Sequence, residues 1–233
     1  MSPGSNLGLL FLHALPLDGS MWGACADLLP GSTDAPDLYG LGDTVEDWAA
    51  EVLKAAKGER LIVVGCSVGG SCAIEVAAAA PGRVAALVLI GTKAGHSPDP
   101  KLHAEALDLI EREGLAAAWE RYWEPLFSQS TDRRVVEAAR STALAIQPED
   151  IAHGVTAFHS RPSRALFVSK CPIPMTVVTG EDDVAPGLQS SAALAAAAPR
   201  GSLHVIPSCG HYVPLERPDA LRAILKDVIE SQA

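Results

Sequence analysis

Along this chain, short runs of β-branched and other apolar residues alternate with stretches in which apolar positions recur every three to four residues. These are the two periods that distinguish strand from helix. Leu7–His13 reads as a strand followed by a helix near Met21–Leu29, and Thr33–Leu38 reads as a strand followed by a helix from Val45 to Lys57. Leu61–Gly65 is a strand leading into an alanine-rich helix that Pro81 and Gly82 stop, and Val84–Ile90 is the next strand. The rhythm resumes late, with strands at Met175–Gly180 and Leu203–Ile206 and helices at Leu188–Ala197 and from about Leu215 to Ile229. This alternation predicts an α/β fold with a mostly parallel sheet of about six strands. Helices would cover both faces, and function would sit at the carboxyl ends of the strands.

Between Gly91 and Pro174 the rhythm breaks. Lys101–Gly114, Leu115–Leu126, Asp132–Ala145 and Pro148–Ala157 read as amphipathic helices with no strand among them. The expected division is a core formed by residues 1–94 and 171–233 and a helical cap formed by 95–170. The insertion holds six of the eleven aromatics, and Trp119, Trp123, Phe127 and Phe158 are the rings expected to line a substrate pocket between cap and sheet. The alternative use of such rings is the insertion's own small core.

Composition narrows the setting. With 233 residues the chain can bury one sizeable core, and a formal charge of -10 argues against nucleic acid or an anionic membrane surface as partner. Five cysteines, at 25, 66, 72, 171 and 209, form an odd set without a metal-type doublet. They suggest neither a disulfide framework nor a zinc site, and a reducing, cytoplasmic location is expected. Leu7–Leu17 is apolar, but no positive charge precedes it and His13 interrupts it, which argues against a secretory leader. No apolar run reaches transmembrane length. The sequence does not indicate an oligomeric state.

The residues richest in chemistry are Gly65-Cys66-Ser67-Val68-Gly69. An apolar strand breaks abruptly into a serine with glycines two before and two after, then enters a helix, as a nucleophile elbow requires. The turn is so sharp that side chains at the glycine positions would collide with backbone. It exposes Ser67 at the end of its strand and aims the first amides of the next helix at the place where negative charge would develop. A serine hydroxyl is a weak nucleophile at neutral pH, so it needs a histidine base and a carboxylate to orient that base. Met175–Gly180 ends in Glu181-Asp182-Asp183, and Leu203–Ile206 ends in a loop carrying His211. Both stand in the chain order such a sheet demands.

Taken together, these segments resemble the α/β-hydrolase superfamily, and within it the small esterase and enol-lactonase-like members, over nearly the whole length. Leu12-His13-Ala14-Leu15-Pro16 is similar to the family's His-Gly oxyanion loop, and Asp37-Leu38-Tyr39-Gly40-Leu41-Gly42-Asp43 to its Asp-Leu-Pro-Gly-His-Gly segment. Gly180–Asp183 resembles the Gly-x-x-Asp acid motif, and Gly210-His211 resembles the base. The resemblance implies Ser67 as nucleophile, His211 as general base and acid, and Asp183 as the orienting carboxylate, with Asp182 as its competitor. It also implies an oxyanion hole from the amides of Leu15 and Val68. The implied activity is cofactor-independent and metal-free, on a small-molecule ester or lactone that is largely apolar.

Three departures stand out. Ala14 replaces the usual glycine, Tyr39 and Leu41 replace the usual proline and histidine, and so few residues precede Leu7 that the opening antiparallel hairpin is expected to be missing. His13 is expected to buttress its loop, His204 to be a packing residue, Ser71 to be helix surface or packing, and Cys66 and Cys209 to be apolar filler. The same triad can run carbon–carbon hydrolysis, perhydrolysis or a lyase or cyclase step, and a non-catalytic binding module is the third class of reading.

Overall fold

The longest apolar runs become the middle of the sheet. In the computed structural model, which describes residues 7–232, β3 (Arg60–Cys66) and β4 (Val84–Ile90) are buried on both faces and flanked by β1 (Leu7–Leu12) and β5 (Met175–Gly180). The edges are β2 (Thr33–Asp34) and β6 (Gly201–Ile206), giving the order β2-β1-β3-β4-β5-β6. All five pairings are parallel. The expected absence of an opening hairpin concerns residues before Leu7, which lie outside the described range.

Right-handed crossovers distribute the helices. The chain steps one way from β1 to β2 through a short 3-10 helix (Gly19–Cys25), and the other way from β2 onward through α1 (Val45–Ala55), α2 (Val68–Ala79) and α7 (Gly187–Ala197). The 3-10 helix therefore lies on the face opposite α1, α2 and α7. There it packs with α8 (Val213–Glu216) and α9 (Pro218–Gln232). Among the described residues, no helix is long and apolar enough to cross a membrane.

Several elements differ from the sequence expectation. The helix expected near Met21–Leu29 is only the 3-10 helix, capped by Asp18, which accepts the Ser20 N–H at 2.8 Å, and cut short by Pro30 and a left-handed Gly31 (φ 79°). The strand expected to reach Leu38 ends at Asp34, because Pro36 has no N–H to give a ladder. The last helix divides at Arg217, whose extended φ of -141° is what a residue before proline prefers. His204 is exposed rather than packed, because β6 is an edge strand with little covering it.

Between β4 and β5 lie α3 (Pro100–Ala118), α4 (Arg133–Ala145), α5 (Pro148–Ser160) and α6 (Ala165–Val168), with no strand among them. Gly114, at φ 81°, kinks α3, and the chain continues through a π-helical turn at Trp119–Trp123 and a 3-10 turn at Glu124–Leu126. Helix α5 sits directly on the loop after β1. A Cβ on Gly154 would stand 2.6 Å from Leu15 Cδ2 and 2.8 Å from Tyr39 Cε1, so any larger residue there would have to displace these side chains. The far end of the helical segment is fastened by Arg164, whose guanidinium donates to both oxygens of buried Glu75 at 2.7 Å and whose N–H donates to Ala94 O at 2.8 Å.

Replacing Arg164 by alanine leaves the Glu75 carboxylate buried without its cation and is expected to lower unfolding stability by about 3 kcal/mol in a urea titration. Adding Glu75→Gln to that variant should recover part of the loss, since the uncompensated charge is then gone.

Candidate active site

Ser67 stands alone between β3 and α2, with φ 55° and ψ -118°. A left-handed φ at a non-glycine residue costs on the order of 1–3 kcal/mol and must be held by its surroundings. The hold is visible on both sides. The Ser67 N–H donates to Ile90 O of β4 at 2.9 Å, and the Gly70 N–H donates to Ser67 O at 3.0 Å. The flanking glycines make the turn sterically possible: a Cβ on Gly65 would stand 2.2 Å from Gly69 O, and one on Gly69 would stand 2.2 Å from Leu12 O. Val68 is the first residue of α2, so its N–H has no acceptor inside the helix. Among the described residues, neither the Val68 N–H nor the Leu15 N–H donates to any protein acceptor.

His211 lies in the loop between β6 and α8, with its N–H donating to Leu126 O at 2.9 Å. Its Nδ1 is 3.2 Å from both oxygens of Asp183, and ring and carboxylate are both buried. Asp183 Oδ1 also accepts the Ala185 N–H at 2.8 Å, which fixes the carboxylate from its other side. With Nδ1 turned to Asp183, Nε2 is the ring nitrogen left for the cavity that Ser67 and His211 both line. Among the described residues no hydrogen bond joins Ser67 to His211. Asp182 points elsewhere. Its Oδ2 accepts from Ser128 Oγ at 2.5 Å and its N–H donates to Cys209 O at 2.8 Å, so it fastens the acid loop to the helical segment.

Two residues that sequence reasoning passed over shape this corner. Gly91, at φ 54°, forms its floor: a Cβ there would stand 2.8 Å from His211 Cε1 and Nδ1 and 3.3 Å from Asp183 Oδ2. Glu216 is a buried carboxylate that accepts the N–H of Ser128 and of Gly210 at 2.9 Å, the N–H of Tyr212 at 3.0 Å and the Thr131 hydroxyl at 2.5 Å. It holds the His211 loop and the segment after Phe127 in one piece. The only sequence signal was an acid five residues after the histidine.

The loop after β1 is held by two buried tyrosines. Tyr212 donates to Leu15 O at 2.9 Å and Tyr39 donates to Leu17 O at 2.7 Å, and burial pushes both phenols well above their ordinary pKa so that they remain donors. His13 Nε2 accepts the Leu38 N–H at 2.9 Å, and its ring lies 4.8 Å from that of Tyr39. The Ala14 N–H donates to Met21 Sδ at 3.3 Å, and the alanine is fully buried. Burial pushes the Cys66 and Cys209 thiols up, and Ser71 is buried in α2.

The cavity over Ser67 has a volume of about 480 Å³ and is lined on its apolar side by Leu15, Tyr122, Trp123, Val155 and Phe158. Of the four rings expected there, Trp123 and Phe158 reach it and Trp119 and Phe127 do not. Trp119 is buried with its Nε1 donating to Glu124 Oε2 at 3.0 Å, and Phe127 packs 6.0 Å from it and 4.7 Å from Tyr212. Trp119 is the first residue of the π-helical turn, and through Phe127 these two rings join the helical segment to Tyr212 in the loop after β6.

Truncating Glu216 to alanine leaves three buried amides without an acceptor and is expected to lower stability by about 3 kcal/mol in denaturant unfolding, with Glu216→Gln intermediate because it keeps one acceptor.

Comparison with known proteins places the chain in company of similar size. It is 28% identical to the 2-succinyl-6-hydroxy-2,4-cyclohexadiene-1-carboxylate synthase of Enterobacter sp. (strain 638), with 95% of this chain and 91% of that protein aligned. It is 26% identical to the 2-hydroxymuconate semialdehyde hydrolase of Pseudomonas sp. (strain CF600), over 97% of this chain and 88% of the relative. Among solved structures, a thermophilic esterase from Thermogutta terrifontis superposes with a TM-score of 0.86 at 26% identity, covering 98% of this chain and 91% of the other. The sheet, the elbow geometry and a family model that matches residues 9–224 agree, and the chain belongs to the alpha/beta hydrolase family.

Proposed function

We propose that this protein is a serine hydrolase that cleaves a carboxylic ester or lactone of a small, largely apolar substrate through an acyl-enzyme. The observation that carries the reading is the His211 ring, turned with Nδ1 to buried Asp183 and Nε2 to the cavity that Ser67 lines. With Nδ1–H donating to Asp183, the Nε2 lone pair accepts the Ser67 proton as the hydroxyl oxygen attacks the carbonyl. The two amides without protein acceptors, Leu15 N–H and Val68 N–H, bind the oxyanion, and a donor of this kind contributes about 3 kcal/mol to lowering the barrier. His211 then gives its proton to the departing alkoxide. A water deprotonated by the same nitrogen attacks the acyl carbon, the acid leaves and Ser67 regains its proton. No step draws on a cofactor.

In this reading residues 95–170 form a cap over a core of 1–94 and 171–233, and Trp123 and Phe158 contact the substrate from the cap side. The five free, buried cysteines suit a reducing cytoplasm. A second reading, carbon–carbon bond hydrolysis with the same residues, is supported by the likeness to the semialdehyde hydrolase of Pseudomonas sp. (strain CF600). Turnover of 4-nitrophenyl esters against that of a vinylogous 1,5-diketone distinguishes the two.

For Ser67→Ala the expected outcome is a fall of roughly 10^3-fold or more in kcat on short-chain 4-nitrophenyl esters, because only the oxyanion hole and binding remain. Turnover near the wild-type level would refute the mechanism. The thiols provide a separate test. Since burial holds Cys66 and Cys209 protonated, iodoacetamide at pH 8 should leave the native enzyme active, whereas rapid inactivation would transfer the nucleophile's role to a cysteine.

A further inference from the structure

We infer that Arg161 anchors an anionic group, foremost a carboxylate, carried by the substrate that enters the Ser67 cavity; the inference rests on the serine-hydrolase reading above and narrows its substrate class to carboxylate-bearing esters or lactones.

The chain carries a formal charge of -10, yet the lining of this cavity includes Lys93, His96, His159 and Arg161 against a single carboxylate, Asp99. Asp99 is exposed and occupied as the cap of α3, accepting the Leu102 N–H at 3.0 Å. His159 is held down to about 4 by burial and by its neighbours His103, Arg161 and His96, and burial also lowers His96. At neutral pH these rings are therefore neutral hydrogen-bonding groups, and the positive charges in the lining belong to Arg161 and Lys93.

Arg161 is the unusual one. Its residue is only 6% exposed, and burial brings its pKa down to about 10, which still leaves it a cation at neutral pH. Among the described residues it has no acidic partner. Glu75, a buried carboxylate in the adjoining wall, has both oxygens engaged by Arg164 at 2.7 Å. The Arg161 guanidinium lies over the Phe158 ring with its carbon 3.8 Å from the centroid, and Nη1 donates to Phe158 O. One face and one donor are thus fixed, and among the described residues the other N–H groups have no protein acceptor. A buried cation without a counter-ion is costly to keep, so its retention beside a substrate cavity indicates a counter-ion that arrives from solution. A planar guanidinium with free donors matches the two oxygens of a carboxylate. The merely structural alternative is that Arg161 caps the end of α5 through Phe158 O, and the test separates the two.

Two esters of equal acyl length are compared: mono-4-nitrophenyl succinate, which ends in a carboxylate, and 4-nitrophenyl butyrate, which ends in a methyl group. Relative to wild type, Arg161→Gln should lower the succinyl-to-butyryl ratio of kcat/KM by tenfold or more, chiefly through KM, with Arg161→Lys intermediate. A structural cap would reduce both esters together, so a ratio within twofold of wild type in both variants overturns the proposal. Free succinate supplies a readout independent of turnover and of the serine's role. Calorimetric binding of succinate to Ser67→Ala, lost when Arg161→Gln is added, supports the anchor. Absence of succinate binding to folded Ser67→Ala overturns it, even if ester hydrolysis proceeds through Ser67.

Discussion

The placement of the His211 imidazole is the constraint from which the rest of this site follows. No single element provides it. Asp183, from the end of β5, faces Nδ1; Gly91, from the end of β4, leaves room for the ring; and the backbone N–H of His211 is tied to Leu126 O in the inserted segment. Each of these donors of position sits at the carboxyl end of a strand or in the helices above it, where a parallel sheet gathers loops from distant parts of the chain. Removing room at Gly91 or the carboxylate at 183 would displace the same ring by different routes.

Around that ring the structure replaces flexibility with hydrogen bonds to buried groups. Glu216 gathers four donors from the loop that carries His211 and from the segment after Phe127, so that loop and the helical layer above it form one mechanical unit. Tyr212, the next residue, extends the unit to the loop after β1 by donating to Leu15 O. The strained backbone at Ser67 is held by Ile90 O and by the close fit of Gly65 and Gly69. The His211 ring, the Ser67 hydroxyl and the free amides are thereby fixed relative to one another, and in the proposed mechanism this preorganisation is what electrostatic catalysis needs. The cavity above them is mixed in chemistry, with aromatic and aliphatic side chains and a buried cation that lies against one of those rings.

Much of this was legible in the sequence, for physical reasons that differ by residue. Val84–Ile90 and Met175–Gly180 could be read to the residue because strands buried on both faces are continuous apolar runs bounded by glycine or proline. The elbow was legible because its geometry admits so few residue types. The choice between Asp182 and Asp183 was not, since adjacent acids in a turn have the same composition and differ only in direction, which Ser128 and His211 settle from elsewhere in the chain. Trp119 and Phe127 misled because ring size predicts burial but not which neighbours bury the ring, here each other, Glu124 and Tyr212. Gly91 and Glu216 carried no local signature: one is a lone glycine after a strand, and the partners of the other lie at positions 128, 131, 210 and 212. Arg161 was silent for the same reason, as the absence of a counter-ion is a property of the folded surroundings.

The most direct measurement is a crystal structure of the protein after reaction with a fluorophosphonate. The account predicts phosphorus bonded to Ser67 Oγ, the phosphonyl oxygen within hydrogen-bonding distance of both the Leu15 and Val68 amides, and His211 Nε2 facing the adduct with Nδ1 still on Asp183. An adduct on another residue, or one on Ser67 whose phosphonyl oxygen turns away from both amides while His211 points elsewhere, would contradict it.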